Sequence, residues 1–279
     1  MIRRQRLICA LILLGLNFAC AARKPGAPVR PGLNFFSKEQ DIQLGREAAG
    51  EVRKQVDVVD NPELQNYVGR LGGAITRLPE ADNFAYSFTL INDTNINAFA
   101  LPGGPVFANS GLLAAADNES QLAGVLAHEV SHVALRHGTN QLSKANIIQL
   151  PAIIASAAAG QGSLMAQLAQ VGIGIGFNSV LLKYSRDAET QADLLGARMM
   201  AKAGYNPIEM ARFFEKLESE SHSRAPQFLS SHPSPGNRIQ MVEAEIRTLP
   251  QRSYTTDTGQ FARMKSLIAQ LPPPRKQLR

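Results

Sequence analysis

The sequence predicts a mainly helical α+β fold, because residues 37–78 and 118–247 favour helices while residues 84–107 favour strands. Hydrophobic residues make up 44% of the 279-residue chain and charged residues 19%. This balance provides for a sizeable buried core and excludes extensive disorder. A chain of this length forms one large domain or two small ones.

Capping residues and helical periodicity set the predicted helices. A serine at position 37, followed by acidic residues, opens a helix over residues 37–56, and Pro62 opens another that runs to about Leu78. We expect further helices at residues 118–136, 187–203, 207–219 and 235–247.

Two segments predict a small sheet. Residues 84–91 (FAYSFTLI) alternate and are rich in aromatic residues, which is typical of a strand. Residues 96–107 contain the turn Pro102-Gly103-Gly104 and predict a hairpin of two short strands.

Residues 145–182 carry no charged side chain. Their glycines and amides argue against a membrane span and favour two short helices joined by a flexible turn. We expect these helices to pack over the core. The alternative is a lid over the active site, or a surface that contacts a membrane or an unfolded client.

The N-terminus predicts export. Three arginines within the first six residues precede the apolar residues 7–19, as in a secretory signal over residues 1–20. This run of 13 residues is shorter than the roughly 20 that span a bilayer. The net charge is +6, and half of it comes from these arginines. The remainder is too small to predict a nucleic-acid-binding surface.

Cys20 stands where a bacterial lipoprotein is cleaved and acylated, and a plain secretory cut after Ala21 or Ala22 is the alternative. Residues 21–36 predict a proline-rich linker, and residues 271–279 a basic proline-rich tail. Both cysteines lie within the first twenty residues, so any metal site in the body must use histidines and carboxylates.

Residues 128–132 read HEVSH and predict a metal site. On a helix His128 and His132 share a face and can bind one ion. Glu129, about a third of a turn away, can act as general base on a metal-bound water. His137 is one residue away from the position of a metzincin's third ligand and falls on a different helical face from the pair.

The third ligand is expected from residues 186–193 (RDAETQAD). A metzincin would need glycine and histidine where Leu135 and Gly138 stand. Glu189 can complete a His₂Glu site with one open position. Asp193, one turn later, can accept the spare ring N–H of a ligating histidine. The alternative is that both carboxylates lie on a solvated helix face.

Four segments together resemble the zinc endopeptidases of the HtpX, LoiP and BepA kind. They are HEVSHVALRHG around His128, SRDAETQAD around Glu189, NAFALPGGPVFANSGLL from Asn97, and SHP around His232 with Arg238 six residues later. The resemblance covers residues 37–248 in family order. It implies a zincin-like (gluzincin) metallopeptidase domain over residues 37–270, with a small sheet beside the active-site helix and one zinc ion. The chain resembles the short exported members of this family more than the others, because we do not expect the membrane helices or helical repeats that other members have.

The resemblance also implies roles for residues around the metal. Asn97, Ala98, Phe99 and Ala100 correspond to an edge strand that pairs with an extended substrate. His232 corresponds either to a donor to the transition-state oxyanion or to a fourth zinc ligand that blocks the water site.

Arg238 is the corresponding candidate for orienting a carboxylate or a substrate carbonyl. His222 lies among serines and is assigned no role.

The expected function is zinc-dependent endoproteolysis of unfolded or misassembled envelope proteins. The alternative is a latent metallopeptidase that acts mainly as a client-binding, chaperone-like factor in outer-membrane protein assembly. We expect a periplasmic protein of a Gram-negative bacterium, tethered to the outer membrane if Cys20 is acylated, with no nucleic-acid partner.

Overall fold

The computed structural model describes residues 24–171, 182–219 and 226–275. The predicted secretory signal, Cys20 and His222 lie outside these ranges. Within the described residues no helix combines the length and apolarity that a membrane crossing requires.

Helices dominate the described residues and a small sheet accompanies them, which confirms the predicted fold class. The α-helices are α1 (Lys38–Gln55), α2 (Pro62–Thr76), α3 (Ser110–Ala115), α4 (Glu119–Ala134), α5 (His137–Ala145), α6 (Leu150–Ala158), α7 (Leu164–Gln170), α8 (Arg186–Ala203), α9 (Ile208–Ser219), α10 (Gln227–Ser231), α11 (Arg238–Ile246) and α12 (Phe261–Ile268). The strands are β1 (Ser87–Ile91), β2 (Ala98–Ala100) and β3 (Pro105–Asn109).

The three strands form one sheet in the order β1-β3-β2. β2 and β3 make the predicted antiparallel hairpin, and β1 pairs in parallel with β3 from Ser87 opposite Pro105 to Ile91 opposite Asn109. The strand predicted at residues 84–91 therefore begins at Ser87, three residues after the predicted start. Residues 84–86 do not pair with β3, because β3 begins at Pro105. The chain before Pro105 turns at Gly103 and Gly104, both at positive φ.

Helix α4 lies at the centre of the molecule. The side chain of its N-cap, Asn118, accepts a hydrogen bond from the backbone of Gln121, and every residue of the helix is buried. Two glycines allow close packing: a Cβ at Gly124 would lie 2.6 Å from the side chain of Met210, and one at Gly196 would lie 3.3 Å from the backbone nitrogen of His128. The helix is thus held from several sides.

Helix α4 ends at Ala134, two residues before the predicted boundary. Arg136 adopts the left-handed conformation with φ of 55°, which turns the chain sharply before α5. Its guanidinium binds the buried carboxylate of Asp41, with 2.5 Å between Nε and Oδ2. This contact joins helix α1 to the end of α4.

Helices α6 and α7 are the two short helices predicted within residues 145–182. The turn between them contains Gly160 and Gly162, both at positive φ. Their buried side chains form a small second core with Phe36 and Leu44. The rest of the segment, residues 172–181, lies outside the described residues.

Residues 24–36, the described part of the predicted linker, lie against the folded body. The backbone nitrogen of Gly26 donates to Glu245, and Arg198 bridges Glu245 and the carbonyl of Ala27. The side chain of Asn140 donates to the carbonyl of Leu33, with 2.5 Å between the two atoms. Hydrogen bonds thus fix this segment at both ends.

Candidate metal centre

The predicted site residues come together at one place in the core. Helix α4 provides His128, Glu129 and His132, and helix α8 provides Glu189 and Asp193. His232 follows α10 directly, and Arg238 opens α11. All seven residues are at most 5% exposed.

Four side chains converge with one ligand atom each. His128 Nε2 lies 3.0 Å from His132 Nε2 and 3.2 Å from His232 Nδ1, and His232 Nδ1 lies 3.0 Å from Glu189 Oε1. The ligand atoms of His128, His132, Glu189 and His232 all lie within 4.8 Å of one another. This group could hold a metal ion.

The hydrogen bonds around the cluster suit a cation at its centre. His128 Nδ1 lies 3.0 Å from Asp193 Oδ1, and an ionised carboxylate only accepts, so the ring proton of neutral His128 is on Nδ1. In the neutral ring that metal binding requires, Nε2 presents a lone pair to two other ring nitrogens and a carboxylate. Nitrogen and carboxylate lone pairs that face one another in a buried site are the ligand set that zinc takes in proteins.

Arg238 holds the carboxylates of helix α8. Its Nε donates to Asp193 Oδ2 over 2.6 Å and its Nη2 to Glu189 Oε2 over 3.3 Å. The guanidinium carbon lies 4.3 Å from the ring centre of Phe214. A bidentate, stacked guanidinium suits this position better than a lysine would, because its planar fork can serve two acceptors at once.

Burial and the charges of the site shift the pKa values of its histidines in opposite directions. Burial lowers the pKa of His132 well below its ordinary value. Burial acts in the same direction on His128, but the carboxylates of Glu189 and Asp193 outweigh it and raise the pKa of His128 to about 9. Burial alone would raise the pKa of Glu189, yet His232 and His128 hold that pKa well below its usual range.

Glu129 lies beside the cluster without belonging to it. Both of its carboxylate oxygens are buried and lack a hydrogen-bond partner, and burial raises the pKa of this carboxyl. His232 Nε2, also without a partner, lies 3.4 Å from Glu129 Oε1. A buried carboxylate with a raised pKa beside the cluster is suited to take up a proton.

His232 is held in place by helix α10. Its ring stacks on Phe228 with 4.2 Å between the ring centres, and its backbone nitrogen donates to the carbonyl of Phe228. Of the two positions that the sequence left open for His232, the geometry favours the ligand position, because Nδ1 points into the cluster.

The predicted substrate strand is at the edge of the sheet, as the resemblance implies, but it is covered. Residues 97–100 are each at most 5% exposed. The backbone of Phe228 donates to the carbonyl of Ile96, just before the strand. A cavity of about 190 Å³ lies beside the strand and is lined by Asn97, Phe99, Leu182 and Ser231 among others.

Two residues at the site were not predicted. His137 Nδ1 lies 2.9 Å from His132 Nδ1, so the expectation that His137 faces away from the pair is wrong. The helical periodicity on which it rested stops at Ala134. Tyr184 stacks on His132 with 3.7 Å between ring centres. Nothing in the local sequence of Tyr184 indicates this contact, which arises from the fold.

Comparison with known proteins agrees with the resemblance. Residues 59–246 match the model of Peptidase family M48. The chain is 30% identical over 247 residues to the "Beta-barrel assembly-enhancing protease" of Yersinia pestis, with 83% of this chain and 49% of the relative covered. It is 32% identical over 212 residues to the protein of the same name from Escherichia coli, with 72% and 42% covered.

A eukaryotic relative is the "Mitochondrial metalloendopeptidase OMA1" of Schizosaccharomyces pombe, 30% identical over 193 residues, with 68% of this chain and 56% of the relative covered. The chain spans about half the length of these three relatives. The matched residues 59–246 include every predicted ligand and Glu129, and they cover more than half of the chain. The chain therefore belongs to Peptidase family M48.

Proposed function

We propose that this protein is a zinc-dependent endopeptidase with His128, His132 and Glu189 as zinc ligands. The convergence of these three side chains in the core, with the buried carboxylate of Glu129 next to them, carries the proposal. Membership of a peptidase family supports it. A purely structural metal site would give no reason for a buried carboxylate, that of Glu129, next to the ligands.

The chain's own residues divide the work of hydrolysis. A bound zinc ion supplies Lewis-acid activation of a water molecule and of the scissile carbonyl. Glu129 takes the proton from the attacking water and delivers it to the leaving amine. Asp193 keeps His128 in the tautomer whose Nε2 is free to bind, and Arg238 holds Asp193 and Glu189 in position.

The closed site favours a second, latent state of the same enzyme. His232 Nδ1 lies where a fourth ligand would bind, and the whole cluster is buried. We propose that His232 occupies the position of the water until it moves away. In this state the protein can bind clients without cleaving them, which is the chaperone-like alternative.

The substrates we propose are unfolded or misassembled outer-membrane proteins. The bacterial relatives are named for enhancing β-barrel assembly, and the N-terminal sequence favours export. We propose a periplasmic location with a tether through acylated Cys20. Mass spectrometry of the mature N-terminus tests the tether, because a diacylglyceryl cysteine and a plain cut after Ala21 or Ala22 differ in mass.

Two measurements test the proposed enzyme. Metal analysis is expected to find one zinc ion per purified chain and little in His128→Ala. Glu129→Gln is expected to keep the zinc but to lose cleavage of an unfolded protein by about 100- to 10,000-fold. A Glu129→Gln protein that cleaves like the wild type would remove Glu129 as general base, and a wild type free of zinc would remove the metal site.

A further inference from the structure

His137 is a buried histidine that the proposed mechanism does not use. It is 5% exposed, and its Nδ1 atom lies 2.9 Å from Nδ1 of the proposed ligand His132. Its other ring nitrogen, Nε2, lies 3.4 Å from Oε1 of Gln191 on helix α8. The three side chains thus form a row that leads from the cluster to the helix of Glu189.

The turn after α4 brings His137 back onto His132. The helix ends at Ala134, and Arg136 reverses the chain with its left-handed backbone. That turn is fixed from outside, because the Arg136 side chain binds the carboxylate of Asp41 and the carbonyl of Phe36. The contact between the two histidines is therefore built into the fold.

The protons along the row can be assigned. His132 faces the cluster with Nε2, so a metal-bound His132 keeps its proton on Nδ1. Two ring nitrogens 2.9 Å apart need one donor and one acceptor, so Nδ1 of His137 accepts. The proton of neutral His137 is then on Nε2, opposite the carbonyl oxygen of Gln191, which accepts it.

We propose that His137 is a positioning residue for the metal ligand His132, and that Gln191 fixes the tautomer in which His137 can do this. The inference rests on the proposed metal site and deepens it. His137 does for His132 what Asp193 does for His128: it fixes the proton position and the angle of the ring. Partners of this kind typically contribute about 10- to 100-fold to metal affinity.

Two substitutions of His137 separate an acceptor from mere packing. His137→Leu fills the space without an acceptor, whereas His137→Asn keeps an oxygen near the position of Nδ1. The zinc dissociation constant of the full chain, measured by competition with a chromogenic chelator, is expected to rise about 10- to 100-fold in His137→Leu. In His137→Asn it is expected to stay near the wild-type value.

Gln191 provides the second arm of the test. Gln191→Leu is expected to weaken zinc binding less than His137→Leu. The double variant is expected to bind zinc no more weakly than His137→Leu alone, because Gln191 acts on His132 only through His137. Thermal unfolding of each variant with chelator present shows whether the metal-free protein still folds.

Nitrogen-15 NMR of the zinc-loaded wild type reads the tautomers without any substitution. We expect a proton on Nδ1 of His132 and on Nε2 of His137. A proton on Nδ1 of His137 would overturn the inference even if His137→Leu does not fold. Equal zinc affinity of wild type and His137→Leu, or equal weakness of both His137 variants, would also overturn it. A wild type that binds no zinc would instead overturn the proposed function.

Discussion

The Nδ1 atom of His232 lies 3.0 Å from the Oε1 atom of Glu189, inside the cluster that could hold a metal ion. The ring is buried and stacks on Phe228 of helix α10. If His128, His132 and Glu189 hold the metal as proposed, His232 occupies the remaining position of the cluster. In the latent state that we propose, release of His232 would be the step that opens the site.

Substitution of His232 by alanine is expected to raise cleavage of an unfolded protein. Loss of the ring frees the fourth position while the other three ligands remain. The expected gain is roughly 5- to 150-fold, the range for an inhibitory coupling of about 1–3 kcal/mol. The measurement is the cleavage rate of a fluorescent unfolded reporter at saturating zinc.

Two further variants control this experiment. His222→Ala removes a histidine without an assigned role and should leave the rate unchanged. Adding Glu129→Gln to His232→Ala should abolish the gain. Lower cleavage by His232→Ala would instead identify His232 as a donor to the oxyanion.

The sequence indicated which side chains would form the candidate cluster, but not the shape of the site around them. His128, His132 and Glu189 belong to local helical patterns, in which spacing alone decides which side chains share a face. His137 was misplaced because α4 stops at Ala134, and the turn that stops it is held by Asp41, 95 residues away in the chain. No local pattern carries such a contact.

The sheet illustrates the same limit. The hairpin of β2 and β3 follows from the Pro102-Gly103-Gly104 turn, which is a local signal. The parallel pairing of β1 with β3 joins segments that are not neighbours in the hairpin, so the sequence did not indicate where β1 would begin. Helices such as α10 and α12 have five and eight residues, too few for a clear periodicity.

Arg238→Met is expected to lower the free energy of unfolding of the metal-free protein by about 3–5 kcal/mol. The substitution leaves the buried carboxylates of Asp193 and Glu189 without their guanidinium. Zinc should restore part of this loss, because a cation that binds only the folded state stabilises it by RT ln(1 + c/Kd), where c is the free zinc concentration, and offsets the uncompensated carboxylates. Urea unfolding with chelator and with zinc measures both effects.

Arg212→Met is the matched control. Arg212 pairs with Glu209 one turn away, but its side chain is 59% exposed. Glu209 is buried but keeps hydrogen bonds from Asn118 and Gln121, so loss of the exposed Arg212 should cost only about 0.2–1 kcal/mol. Equal effects of the two arginine substitutions would show that Arg238 does not compensate the carboxylates.

Tyr67→Phe is expected to change how stability depends on alkaline pH. The Tyr67 hydroxyl donates to the buried Glu119 over 2.9 Å, and burial together with this carboxylate raises the pKa of Tyr67 far above its ordinary value. Above pH 10 the unfolded chain loses the phenol proton while the folded protein keeps it. The free energy of unfolding therefore falls by up to about 1.4 kcal/mol per pH unit, and Tyr67→Phe should remove this contribution.

Thr258→Val separates the titration from the hydrogen bond. The Thr258 hydroxyl donates to the same oxygen of Glu119 but does not titrate. Both substitutions should cost about 1–3 kcal/mol at neutral pH, because each removes a donor from a buried carboxylate. Only Tyr67→Phe should reduce the alkaline slope in urea unfolding from pH 9 to 11; the part of the slope due to other buried tyrosines, such as Tyr205, should remain. The same slope in both variants would contradict the assignment.

Two glycines of helix α1 predict opposite effects of the same substitution. A Cβ at Gly45 would overlap the backbone oxygen of Pro102, in the turn that follows the edge strand β2, whereas a Cβ at Gly50 would meet nothing within 4 Å. Gly50→Ala should raise the free energy of unfolding by about 0.8–1 kcal/mol through helix propensity alone. Gly45→Ala should lower the free energy of unfolding by about 1–3 kcal/mol, because the backbone at Pro102 must move to make room for the added methyl group. If both substitutions raise the free energy of unfolding in urea, the close contact between Gly45 and Pro102 is wrong. Reduced cleavage by Gly45→Ala but not Gly50→Ala would show that this contact also sets the position of the edge strand.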